Sequence, residues 1–135
     1  MRQVYADTSY WIALLNHTDH LHAAAVKKTR TLGGHVLVMS EAVLIELLNY
    51  ASRVPEFRDL AARKVRVALE HPEMDIVPLS HEAFLDALGL YEARGDKEYS
   101  LTDCLSMKIM EDRGITDVLT ADQHFAQAGF TALLT

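Results

Sequence analysis

Four carboxylates stand where ordinary folding does not fully account for them. Asp7 directly follows a β-prone segment, and Asp122 falls three residues after Leu119, which ends another apolar run. Asp103 lies in the first turn of a helical stretch, behind Ser100 as its cap. Each of these three has an ordinary reading as a helix-start acid, stabilising its helix by about 0.3–1 kcal/mol. Glu46 is harder to explain that way. Its helical neighbours are Ala42, Val43 and Tyr50, with Leu44, Leu47 and Leu48 around them. An ionised carboxylate on so apolar a surface is costly unless it is paired or bound to metal. The bland alternatives are a rim position or a pairing with Arg53. Asp103 heads a stripe with Met107 and Met110, which turns it inward as well.

Four such acids form an all-oxygen donor set. Hard cations, Mg²⁺ or Mn²⁺, suit it, and without a cation the cluster would repel itself. The chemistry that fits is phosphodiester hydrolysis, in which an ion lowers the pKa of an attacking water and stabilises the leaving oxygen. Thr8, Ser9, Ser100 and Thr120 are hydroxyls beside these acids. They could bond a carboxylate, a phosphate or the ion's water shell, or serve as caps.

The elements that must position these groups alternate between strand and helix. Arg2 to Ala6 is β-prone and gives way at Asp7-Thr8-Ser9 to a helical run through Leu15. A second helix is expected from about Asp19 to Leu32, stopped by Gly33-Gly34. His35 to Met39 is a continuous apolar run suited to a buried parallel strand. Ser40 caps a helix, Pro55 opens a longer one to about His71, and Asp75 to Leu79 forms a strand that Pro78 marks as an edge. Ser80 caps the next helix. Ser100 begins a helix ending at Gly114, a short strand follows at Val118-Leu119, and Gly129 to Leu134 closes the chain as a last strand. This order predicts an α/β unit with a mostly parallel sheet, spanning residues 1–135 as a single domain. Such sheets bind ligands beyond the carboxyl ends of their strands, where these acids lie.

Other signals are weaker. His17, His20 and His22 cluster without a clear matching ligand elsewhere for a transition-metal site and read as surface or capping residues. Cys104 reads as a buried thiol with no neighbouring base. Tyr10 and Trp11 read as core, with Tyr10 also able to stack on a base. Arg63, Lys64 and Arg66 lie on a charged segment that reads as a solvated face or, functionally, as a rim holding an RNA backbone. A lone cysteine fits a reducing cytoplasm, and no apolar run approaches the ~18 residues of a membrane span. The net charge of −6 argues against a simple nucleic-acid binder, an objection that a cation at the acids would weaken.

Four segments in order carry a resemblance: V-Y-A-D-T-S-Y-W-I-A-L-L, S-E-A-V-L-I-E-L-L-N, S-L-T-D-C-L-S-M and V-L-T-A-D-Q-H-F-x-x-x-G-F. Together they resemble the PIN-domain nucleases, most closely the small VapC-type toxins. The resemblance implies a metal-dependent endoribonuclease in which Asp7, Glu46, Asp103 and Asp122 bind Mg²⁺ or Mn²⁺. It places the supporting hydroxyls at Thr8 or Ser9 and at Thr120. It also implies a three-layer fold with a five-stranded sheet in the order 3-2-1-4-5, a homodimer, and a small neutralising antitoxin. Asp117 competes with Asp122 for the last position, and the T-x-D-x-x-F context favours Asp122. Two alternatives are a different Mg²⁺ phosphohydrolase acting on small esters, or a binding module that keeps the fold without activity. The triplet Asp7-Thr8-Ser9 in place of D-x-D counts against the former, and the intact four acids against the latter.

Overall fold

The computed structural model describes residues 1–134; Thr135, the last residue of the expected unit, lies outside the described residues. The elements run β1 (Arg2–Ala6), α1 (Thr8–Leu15), α2 (His22–Thr31), β2 (His35–Ser40), α3 (Glu41–Ala51) and α4 (Pro55–Glu70), then β3 (Met74–Val77), α5 (His81–Ala93), α6 (Leu101–Arg113), β4 (Asp117–Leu119), α7 (Gln123–Gln127) and β5 (Thr131–Ala132). The five strands form one sheet in the order β3-β2-β1-β4-β5, with every neighbouring pair parallel. This is the expected architecture, and Pro78 does follow directly on the edge strand β3.

The central strands are buried because they are apolar on both faces. Val4, Tyr5, Ala6, Val38, Met39, Val118 and Leu119 are all fully inaccessible. Parallel strands need helices over both faces, and the crossovers supply them. One polar knot sits inside this core: the Tyr5 hydroxyl lies 2.7 Å from the Ser106 hydroxyl and accepts from the Ser40 amide at 3.2 Å. It ties β1 to β2 and to α6, and burial pushes the Tyr5 pKa up to about 12. A phenol so placed is structural.

Several boundaries differ from expectation, and β3 ends at Val77 rather than Leu79, since Pro78 has no amide to continue the ladder. Helix α2 begins at His22 rather than near Asp19, because the Asp19 carboxylate accepts from the Leu21 amide and holds a turn there. The last strand shrinks to Thr131–Ala132, since its partner β4 offers only three residues. Tyr10 is 2% exposed and its hydroxyl meets Thr29 at 2.7 Å, so it packs in the core and is not available to stack on a base. Cys104 is buried, as expected. Among the histidines, the His22 Nδ1 lies 2.7 Å from the Ala13 carbonyl, which joins α2 to α1.

Candidate active site

The order of the sheet sets β1 beside β4, so the residues leaving their carboxyl ends meet. The Asp7 amide donates to the Leu119 carbonyl at 3.3 Å, which fixes that junction. Asp7 takes the N-cap position of α1 yet its side chain makes no capping bond. Its Oδ2 instead accepts from the Ser9 hydroxyl at 3.0 Å and from the Thr120 hydroxyl at 2.9 Å. Thr120 is fully buried and also accepts from the Asp122 amide at 3.0 Å, so one hydroxyl links the first acid to the last.

Asp103 and Asp122 are caps as well as candidates. Asp103 closes a capping box at the start of α6: the Ser100 hydroxyl accepts from the Asp103 amide at 3.0 Å, and Asp103 Oδ2 accepts from the Ser100 amide at 3.1 Å. That reciprocal pattern satisfies two orphan amides of the first turn. Asp122 caps α7 by accepting from the His124 amide at 2.9 Å. Capping fixes where the carboxylates sit and leaves them lone pairs to spare.

A residue that the sequence reasoning missed completes this corner. One ligand atom from each of Asp103, Asp122 and His124 lies within 4.8 Å of the others. The His124 Nδ1 stands 3.3 Å from Asp122 Oδ1 and 3.6 Å from Asp103 Oδ2. The signal available in the sequence was its position two residues after the capping Asp122, which folds the ring back toward the cap.

Glu46 and Asp7 stand outside that group of three. The Thr8 hydroxyl donates to Glu46 Oε1 at 2.6 Å, which tethers the carboxylate to the start of α1. The pairing with Arg53 considered from sequence is absent among the described residues, and Glu46 is half-buried. It lines a cavity of about 220 Å³ with Ala42, Leu101 and Thr102, which puts it beside the start of α6. The rival acid Asp117 is occupied elsewhere, by Arg2 at 2.5 Å.

The electrostatics are those of carboxylates gathered without enough positive charge. Burial pushes the Asp7 pKa up to about 6, against the two hydroxyl bonds that lower it, and the Asp103 charge raises it further. Asp103 is raised too, first by burial and then by Asp122, with the Ser100 amide and His124 opposing. Desolvation and like charge both disfavour the ionised forms. Cys104 beside Asp103 is pushed up by burial and by that charge, so it is a poor thiolate and a poor nucleophile. Arg63 pairs with Asp59 at 3.1 Å on the exposed face of α4, while Lys64 shares a groove with Trp11, Leu60 and Val67.

Comparisons with known proteins agree with this geometry. The PIN domain family model matches residues 4–131. The 23S rRNA-specific endonuclease VapC20 of Mycobacterium tuberculosis, in strains CDC 1551 / Oshkosh and H37Rv, is 30% identical over 132 residues, covering 94% of this chain and 95% of the relative. The crystal structure of Mycobacterium tuberculosis VapC20, described as a sarcin-ricin loop cleaving toxin, superposes with a TM-score of 0.84 at 25% identity, covering 95% of this chain and 96% of that one. With the parallel 3-2-1-4-5 sheet and the acids at its carboxyl edge, this chain belongs to the PIN-domain family.

Proposed function

We propose that this chain is a divalent-metal-dependent endoribonuclease and the toxin of a toxin–antitoxin pair. The observation that carries the proposal is the convergence of Asp103, Asp122 and His124 within 4.8 Å, beside a buried Asp7 that no cationic side chain among the described residues neutralises. Its donor set fits a hard divalent cation. Carboxylates whose ionisation burial and mutual repulsion both oppose gain most when an ion arrives. Asp7, Asp103 and Asp122 would hold it, with Glu46 at the edge of the site.

When bound, Mg²⁺ or Mn²⁺ supplies a water of lowered pKa and charge stabilisation at the phosphoryl group. The chain's own residues do the positioning. Ser9 and Thr120 hold one Asp7 oxygen from two sides, so the other points away from the hydroxyls. Thr8 fixes the Glu46 carboxylate by a short bond. Ser100 locks Asp103 through the capping box. None of these carboxylates needs to reorganise as negative charge develops on the substrate, which is the economy of a preorganised site.

The substrate class follows VapC20: a structured loop of ribosomal RNA is the first substrate to test. The cytoplasm is the compartment this substrate requires. No helix among the described residues is long and apolar enough to cross a membrane. Exposed Ile45, Leu79, Phe84 and Leu85 give apolar surface that a second copy in a homodimer or a small antitoxin would cover. Arg63, Lys64 and Arg66 are proposed to hold the RNA backbone. Incubating the protein with a 23S rRNA fragment and Mn²⁺ and mapping the cut ends tests the reading. Site-specific cleavage that excess chelator stops supports it; intact RNA, or cleavage unaffected by chelator, overturns it.

A further inference from the structure

We infer that His124 is a ligand of the bound ion through Nδ1, making the centre a mixed oxygen–nitrogen site rather than an all-carboxylate one. The inference rests on the metal-dependent reading above and adds one donor to it.

The His124 Nδ1 is buried and makes no hydrogen bond among the described residues. A buried ring nitrogen without a partner is costly, and native structures rarely leave one. It is nonetheless surrounded by acceptors, at 3.3 Å to Asp122 Oδ1 and 3.6 Å to Asp103 Oδ2. Those oxygens are already engaged, since Asp122 Oδ1 accepts from the His124 amide and Asp103 Oδ2 from the Ser100 amide. The separations exceed the roughly 2.7–3.2 Å of an N–H···O bond. They are close to the spacing of neighbouring ligands around one small cation, which is about 3 Å when each bond is about 2.1 Å. All three donor atoms lie within 4.8 Å of one another.

The ring is held in this pose from behind. Tyr99 meets it edge-on with centroids 5.5 Å apart, and the Arg94 guanidinium lies 5.9 Å from the centre of Tyr99. That packing limits the ring's freedom to turn away, as preorganisation of a ligand requires. An imidazole donor carries a chemical consequence. Nitrogen moves preference away from Mg²⁺, which is best served by oxygen, toward first-row transition ions.

The test uses the full chain and Mn²⁺ alone as the probe. Electron spin-echo modulation of bound Mn²⁺ is expected to report one imidazole ¹⁴N in the wild type, and none in His124→Asn. The amide oxygen of asparagine reaches the place of Nδ1, so that variant keeps an oxygen donor. Its Mn²⁺-to-Mg²⁺ affinity ratio, from direct titration, is expected to fall. His124→Gln repeats the comparison if the asparagine variant fails to fold. Bound Mn²⁺ without nitrogen modulation in the wild type, no Mn²⁺ binding, or an unchanged affinity ratio overturns the inference. RNA cleavage by the wild type is scored in parallel. Cleavage without nitrogen coupling sinks this ligand and leaves the nuclease reading, whereas nitrogen coupling without cleavage does the reverse.

Discussion

Asp7 carries the largest electrostatic penalty at the site. The residue is 7% exposed, and burial moves its pKa from 3.8 to about 6. A raised acid pKa in the folded state means that the neutral form is the one the fold favours. The stabilisation is therefore complete below about pH 4 and is lost as pH rises through about 6. The span of about two pKa units corresponds to roughly 3 kcal/mol. In chelator, the wild type is expected to lose thermal stability between pH 4 and 6 relative to Asp7→Asn, whose amide cannot ionise. Added Mn²⁺ should restore the wild type above pH 6 and do little for the variant. Parallel curves for the two proteins would reject this account. The same substitution, and Asp103→Asn, should abolish RNA cleavage with the circular dichroism spectrum intact; full activity in either would remove that acid from the mechanism.

At the scale of elements, the helix starts matter most. Ser100 both caps α6 and immobilises Asp103. Ser100→Ala should cost about 1 kcal/mol in a denaturant titration. It should also lower cleavage more than that loss of folded protein explains, because Asp103 is then free to turn. A stability loss with unchanged cleavage would make the capping box structural only. These caps were legible in the sequence because they are local: Ser40, Ser80 and Ser100 each precede an apolar period and each accepts the expected amide. Strand order and parallel pairing were legible through the resemblance and the alternation of elements. What was not legible was tertiary. The Thr8–Glu46 bond spans 38 residues between two helices, and the approach of His124 to Asp103 joins two helices separated by a strand. No local period encodes either. Helix α2 started late for a local reason that was missed, an Asp19 turn that competes with helix by bonding its own backbone.

For the whole molecule, the parallel sheet converts sequence distance into proximity: β1 and β4 pair in register at Tyr5–Val118 and Ala6–Leu119, and the acids that follow them, Asp7 and Asp122, are joined through the Thr120 hydroxyl. The cost of this design is a chain of net charge −6 that must still hold a polyanion. A cation at the acids would offset part of that charge locally, and the basic side chains of α4 are proposed to supply further attraction. Arg63 is half-committed there by its exposed pair with Asp59, a contact worth little in water, so it remains available to a phosphate. Lys64 and Arg66 form no ion pair among the described residues. If these three bind backbone phosphates, reversing all of them to glutamate should weaken RNA binding across sequences and reduce the salt slope, log K against log salt, by about 2 for three lost contacts on single strands. The site acids are untouched by this change, so cleavage at saturating RNA should persist while half-saturation moves to higher RNA concentration. An unchanged slope would mean that the RNA lies on another face and that α4 is a solvated surface, the ordinary fate of a charged helix.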